Sequence, residues 1–285
     1  RTDASVARRR NALRSGISGG GVGASWTRRL TLPHLYRLGG VGNVAWMQMV
    51  HSLRILPRYL AFTTAIVGLV LVIPLLVDSR HLSGAAVVGW MIGLTAYADF
   101  LLLLQLPVGF LGPVAQRELL KSLPIPSWRI ALGQLAGPIL PLGVLHGLVT
   151  CLFLYLSPES RQNILQTAVA LVPVGLVLVA NINLLGSWNI IRPRALQQRD
   201  ALAAGRAMAS VWIFMVMLIP AVVIASVGVV VTQQVLGEGL PNVLLGVALG
   251  TSLSSILYIL LLARSFANWQ PAAGEGGMEE VELDR

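Results

Sequence analysis

Three polar side chains lie inside long apolar runs, where they have the chemistry to bind an ion or a polar cargo. Asp99 is the most unusual, because an ionised carboxylate in a bilayer costs several kcal/mol unless it is paired or hydrated. Taken alone, it suggests an ion pathway. Asp99 also lies about 22 Å along a helix counted from residue 84, close to the end of its run, where water or a nearby Arg would pair with it. Asn181 and Asn183 either contact cargo or hydrogen-bond to a neighbouring helix.

The other residue types that often do chemistry are scattered along the chain. The four histidines fall in different predicted segments, so their spacing predicts no metal site; they are His34, His51, His81 and His146. Glu279 and Glu280 are adjacent, but no histidine at membrane depth accompanies them. Cys151, the single cysteine, lies in an apolar run and is interpreted as a packing residue. We therefore expect a protein that is not an enzyme.

The composition requires a membrane as the setting for these residues. Hydrophobic residues make up 55% of the 285 residues and charged ones only 12%, with a mean hydropathy of +0.74, which a water-soluble domain could not bury. The net charge is +9, and the basic residues that cause it lie between the apolar runs and not on one face of a polar domain. Nucleic acid is therefore not an expected partner.

Six runs are long enough to cross the hydrocarbon core, which needs about 20 apolar residues in a helix. The fold class is therefore all-α, a polytopic six-transmembrane-helix bundle over 59–263, with spans at about 59–77, 84–106, 131–156, 164–188, 210–232 and 240–262. Two alternatives stay open. Pro138 and Pro141 could break the third run, and the turn between the last two runs could be re-entrant.

The positions of the basic residues predict the orientation. Short loops rich in Lys and Arg stay in the cytoplasm. If the six runs cross the membrane in turn, the segments on one side hold nearly all of the 21 basic residues. Arg80, Arg161 and Glu238 are then outside, and both ends of the chain are cytoplasmic. This topology predicts a multi-pass protein of the cell (inner or cytoplasmic) membrane, in contact with its lipids.

Four segments outside the core are predicted to differ in character. Residues 1–41 are a flexible arm or linker rich in Arg, Gly and Ser. Residues 42–58 form an interfacial amphipathic helix with its apolar positions at Trp46, Met49, Val50 and Leu53. Its other faces carry polar residues, which are Gln48, His51, Ser52 and Arg54. Residues 264–285 form an acidic cytoplasmic tail.

The fourth segment is the loop after the second run, GPVAQRELLKSLPIPSWRIALGQL. Its first part is a charged helix, and two prolines then stop that helix before the next span begins. The residues expected to matter are Arg117, Glu118, Lys121, Leu123, Pro124, Pro126 and Arg129. From the residues alone, a helix that docks a partner and one that rests on anionic lipid are equally good interpretations.

A family resemblance favours the docking interpretation. The stretch from Arg117 to Leu135 resembles the loop between the second and third spans of ABC-transporter permeases of the export type. The stretches LPHLYRLGGVGNVAWMQMVHSLR and RPRALQQRDALAAGR are similar to those of the bacterial ABC exporter family.

The resemblance implies a permease subunit or half, which couples ATP hydrolysis on a separate ABC ATPase subunit to export. The loop would be a cytoplasmic coupling helix that docks on that ATPase. A second permease half would be another copy, or the upstream part of a longer polypeptide joined through the Arg-rich arm. ATP would be bound by the partner and no cofactor by this chain, which has no Gly-rich loop ending in Gly-Lys-Ser or Gly-Lys-Thr. The alternatives are a noncatalytic membrane scaffold and a proton-coupled carrier that uses Asp99.

Overall fold

The computed structural model describes residues 40–53, 56–57, 61, 68, 84–105, 120–122, 124–188 and 201–269. Within these residues the fold is all-helical and has no strand. We number the long helices α1 (40–53), α2 (Gly84–Gln105), α3 (Ser127–Leu156), α4 (Arg161–Ser187), α5 (Ala201–Leu236) and α6 (Leu240–Asn268). A short 3-10 turn, Pro158–Ser160, joins α3 to α4.

Five helices, α2 to α6, are long and apolar enough to cross a membrane, as expected for a multi-pass membrane protein. They correspond to the last five of the six predicted spans. The first predicted span, 59–77, lies outside the described residues apart from two helical positions, 61 and 68. The arm before residue 40 and the tail after residue 269 also lie outside them.

Helix α3 is continuous through Pro138 and Pro141, so the alternative in which they break the third run is wrong. Each proline removes one backbone donor and frees one carbonyl group. In a membrane, neighbouring helices satisfy such freed backbone groups, so proline is tolerated within a span. The sequence also places proline at or next to helix starts, where the missing N–H costs nothing. Pro126 precedes α3, and Pro241 lies in the first turn of α6.

Helices α5 and α6 form a tight antiparallel hairpin. Gly237, with a φ of +90°, ends α5, and its N–H donates to the Gln233 carbonyl at 2.9 Å. The two helices then run close together, because a Cβ added at Gly246 would lie 2.5 Å from the Val229 Cα. Each of the two helices is long and apolar enough to cross a membrane alone.

Helix α4 is the centre of the bundle. It contacts each of the other four spans, and its C-terminal half from Val177 to Ser187 is buried throughout. Helix α1 packs on the first half of α3, where Gly133 and Gly137 leave space for it. The side chains that α1 buries there include Gln48 and Ser52, which the amphipathic pattern had assigned to the polar faces of this helix.

Candidate functional site

Asp99 meets His146 inside the bundle. The Asp99 Oδ2 atom lies 2.8 Å from the His146 Nε2 atom, which joins α2 to α3 by a hydrogen bond or an ion pair. The Asp99 side chain is 1% exposed and that of His146 14%. The carboxyl group is therefore enclosed by protein, while the imidazole ring lies at the edge of the bundle.

Helix α4 closes the third side of this pair. A Cβ added at Gly175 would lie 3.3 Å from the His146 Cε1 atom and 4.0 Å from the Asp99 Oδ2 atom. Any residue larger than glycine at this position would therefore press on the imidazole ring. The Thr150 hydroxyl donates to the His146 carbonyl at 2.7 Å, one turn along α3, and is not a partner of the ring.

The other carboxylate oxygen is the unusual atom of the site. The Asp99 Oδ1 atom is buried and has no hydrogen-bond partner among the described residues. A buried acceptor without a donor is costly, and more so when it carries charge. The site therefore holds one satisfied and one unsatisfied oxygen on the same carboxyl group.

The depth of Asp99 is decided by its neighbours. Gly175 lies near the middle of α4, about 20 Å from either end, and His146 lies about 15 Å before the end of α3. Counting along α2 alone had placed Asp99 close to a membrane boundary, with water or Arg as partners. In the described residues its partner is instead a histidine on another span.

Asn181 and Asn183 do not join this pair. The Asn181 amide donates to the Phe214 carbonyl of α5 at 3.2 Å, which matches the expectation of a hydrogen bond between helices. The Asn183 amide donates to the Val179 carbonyl of its own helix at 2.8 Å. Both side chains are buried, and the Asn181 Oδ1 atom has no partner in the described part of the chain.

His146 is the site residue that the sequence analysis missed. It is 47 positions from Asp99, and nothing local marks it, because it was grouped with three histidines in other segments. The available signal was its setting: an ionisable residue within a span needs a polar partner, and the chain places one acid and one histidine in separate spans. No group of three metal-ligating side chains forms within the described ranges.

The second candidate site is the loop between α2 and α3. Residues 120–122 form a helical turn in which Leu120 is buried in the core and Lys121 is exposed. The Lys121 ammonium donates to the Trp269 carbonyl just after α6 and lies 5.7 Å from the centre of its indole ring. A cation at that place also suits the negative end of the α6 dipole.

The rest of this loop packs on α1 and begins α3. Ile125 fills the space beside Gly40, because a Cβ added to that glycine would lie 2.8 Å from it. The Pro126 carbonyl accepts from the Arg129 N–H at 2.9 Å, in the first turn of α3. The Arg129 guanidinium lies 5.1 Å from the centre of the half-exposed Trp128 ring.

Of the loop residues singled out in the sequence, Lys121 thus has a defined partner, while Pro124 and Pro126 are exposed. Arg117, Glu118 and Leu123 lie outside the described residues.

Close to Lys121, the C-terminal ends of α4 and α6 meet. The Ser187 and Ser265 hydroxyls lie 2.7 Å apart. Beside them is a cleft of about 360 Å³, lined by Ser187, Trp188, Ser265, Asn268 and Trp269.

Comparisons with family models, with curated proteins and with solved structures give no match to this chain.

Proposed function

We propose that this chain is the transmembrane subunit, or one half of the transmembrane part, of an ATP-driven ABC exporter. The observation that carries the proposal is the attachment of the α2–α3 loop at three places. Leu120 is buried in the core, Ile125 packs against α1, and Lys121 is bound to the end of α6. Because this loop resembles the coupling loop of export permeases, we interpret its attachment as the connection through which the ATPase moves the spans.

A loop held in this way transmits force. A push on residues 120–126 is carried directly into the first turn of α3 through the Pro126 carbonyl, and into the end of α6 through Lys121. Packed helices move as rigid bodies because their cores resist continuous deformation. Closure of an ATPase on the loop would therefore tilt two spans together, between inward-facing and outward-facing states.

The proposal includes the partners of the chain. A separate ABC ATPase binds ATP and receives the loop in a groove, and a second permease half faces this one across the cargo path. Six spans, with the first at 59–77, then place both termini in the cytoplasm of the cell. The α2–α3 loop and the cleft beside Trp269 lie on the side where the ATPase docks.

The direct test is co-purification with ABC ATPases encoded beside this chain. Glu118→Arg reverses one charge in the loop and should lower ATPase recovery at least about tenfold, because a reversed charge in a docked surface costs several kcal/mol. Glu159→Arg, the same change in the exposed turn between α3 and α4, is the matched control. Equal recovery for both variants would reject the loop as a docking site.

A second variant tests transmission separately from docking. Lys121→Gln removes the cation bound to Trp269 but leaves the loop in place, so the ATPase should still bind while its stimulation by the permease falls. Arg264→Gln removes an exposed cation near the same end of α6 and should leave stimulation unchanged. Full stimulation with Lys121→Gln would show that α6 does not receive the force.

Topology is tested by cysteine labelling. Cys151→Ser gives a background without cysteine, because the chain has one. A cysteine placed at Arg161 should react with an impermeant reagent on intact cells, and one placed at Arg199 should not. The reverse pattern would overturn the orientation and with it the cytoplasmic placement of the loop.

A further inference from the structure

The Asp99–His146 pair has a chemistry that the proposed exporter function does not use. We propose that these two residues form a proton-binding site inside the membrane, which holds one proton between them and exchanges it when α2 and α3 move apart. The inference is independent of the ATPase partner.

Charge balance leads to one proton. With a single proton the pair is neutral overall, either as a carboxylate with an imidazolium or as a carboxylic acid with a neutral imidazole. Loss of that proton would leave a net negative charge in the bundle and gain of a second would leave a net positive one, and both are costly in a bilayer. The 2.8 Å distance between Oδ2 and Nε2 allows the proton to pass between the two atoms without any change in net charge.

Space excludes a larger ligand in this closed arrangement. The Asp99 Oδ1 atom has no hydrogen-bond partner among the residues that the structure describes, which marks it as an acceptor in need of a donor, yet it is buried. The backbone of α4 at Gly175 lies against the other side of the pair. A proton on the carboxyl group needs no extra volume and removes the charge from the orphaned oxygen, whereas a metal ion or an amine would need room that the closed pair does not give.

No other ionisable side chain among the described residues lies close enough to share this proton. On α2 and α3 the nearest ionisable side chains are Tyr97 and Cys151, which are both exposed on the outer surface of the bundle. On α4 the nearest is Arg161, about 20 Å away along the helix. The α5 residues 208–236 contain no ionisable side chain, and the Tyr258 hydroxyl of α6 donates to the Met217 carbonyl.

The exit for the proton is on the imidazole side. His146 keeps 14% of its side chain exposed at the edge of the bundle, while Asp99 keeps 1%. If α2 moves away from α3, the hydrogen bond breaks and each group meets a different environment, so the shared proton must leave or stay with one partner. Separation of the two helices is therefore linked to proton exchange, and a conformational equilibrium that includes this step depends on pH.

The test follows both groups in the full chain reconstituted in lipid nanodiscs. Solid-state NMR of ¹⁵N-labelled histidine reports His146, and infrared spectroscopy reports the C=O stretch of a protonated Asp99. A coupled pair titrates in two steps that belong to the pair and not to either residue. Because the one proton of the neutral state is shared, we expect both signals to change in each step, and we expect Asp99→Asn to remove the infrared band and to leave His146 with a single step.

Three control variants make the result specific. Glu159→Gln and His51→Gln each remove an exposed group of the same type and should leave both signals unchanged. Gly175→Ala keeps both partners but brings a methyl group to 3.3 Å from the His146 ring, so it should shift the joint titration. This variant also serves if Asp99→Asn fails to fold.

A titration in which the infrared band changes only in one step and the histidine signal only in the other would overturn the proposal, because the proton would then belong to one residue and not to the pair. So would a His146 titration that neither Asp99→Asn nor Gly175→Ala moves, because the hydrogen bond would then be only structural. Neither result would bear on ATPase docking.

Discussion

Helices α4 and α5 are both apolar spans, yet they occupy opposite environments. In the apolar stretch of α4, 72% of the residues are buried within the protein, against 11% for α5. The more hydrophobic helix is the one left on the outside. In water this would be a contradiction, but lipid is as apolar as a leucine side chain, so hydrophobicity alone draws no helix into a membrane bundle.

The residues of α4 explain its central position. Gly175 allows the Asp99–His146 pair to approach, and Asn181 donates to α5. Its Pro173 carbonyl accepts from the Ser255 hydroxyl of α6 at 3.2 Å, and Ser187 meets Ser265 at the end. Small and polar residues give close packing and hydrogen bonds, which are what hold helices together in lipid. Helix α5 offers branched apolar side chains instead, and it is held mainly by α6.

The largest effect is expected where α5 does have a close contact. Gly246→Leu would place side-chain atoms on the α5 backbone at Val229, and should destabilise the protein by about 3 kcal/mol or separate the hairpin. Gly147→Leu in α3 is the control, because a Cβ there meets nothing within 4 Å. Reversible unfolding in mixed detergent micelles gives both values. A smaller loss for Gly246→Leu than for Gly147→Leu would mean that this contact does not hold α5.

A matched pair of isoleucines compares the two helices directly. Ile182 of α4 is 2% exposed and Ile219 of α5 is 55% exposed. Ile182→Ala should cost about 2 kcal/mol of unfolding free energy, because the surrounding side chains lose their contacts with the removed atoms and a cavity remains. Ile219→Ala should cost less than about 0.5 kcal/mol, since lipid replaces the lost atoms. Equal costs in the same unfolding measurement would indicate that α5 is covered by another protein surface.

The smallest expected effect concerns one hydroxyl group. The Ser255 hydroxyl lies 2.8 Å from the Thr251 carbonyl of its own helix and also reaches the Pro173 carbonyl of α4 at 3.2 Å, whereas the exposed Ser226 hydroxyl of α5 donates to Val222 in its own helix. Ser255→Ala should cost about 0.6 kcal/mol, the usual value for a hydrogen bond between spans, and Ser226→Ala should be neutral. If the unfolding free energies of the two variants agree within error, hydrogen bonds between helices do not explain why α4 is central.

Much of the fold was predictable because a bilayer imposes it locally. Each span must satisfy its own backbone groups over about 20 apolar residues, so run length alone predicted five helices that the structure contains. The turn at Gly237 was also predictable, because Gly237, Gly239 and Pro241 lie within five residues, and such clusters favour a turn. Asn181 forms a hydrogen bond to α5, which is one of the two roles that the sequence left open for it, whereas Asn183 bonds within its own helix.

The candidate sites were predictable only as separate residues. Lys121 was singled out for its place in a charged loop, but its partner, Trp269, is 148 positions away and was not considered. The burial of Gln48 and Ser52 was not predictable either. Their pattern assigns them to the solvent-facing side of an amphipathic helix, but Gly137 of α3 leaves space for them inside the bundle.

The sequence by itself determined where the five apolar helices described here lie, because backbone hydrogen bonding in lipid is a requirement on each segment alone. It did not give their exact lengths, since α5 runs from Ala201 to Leu236 where 210–232 was predicted. Only the tertiary structure decided that Asp99 faces His146, that Gly175 closes the pair, and that α4 is central while α5 is peripheral. Hydropathy carries no information about neighbours, because the most hydrophobic span, α5, is also the least buried one. The neighbours are chosen by the shapes of small residues and by hydrogen bonds between segments far apart in the chain.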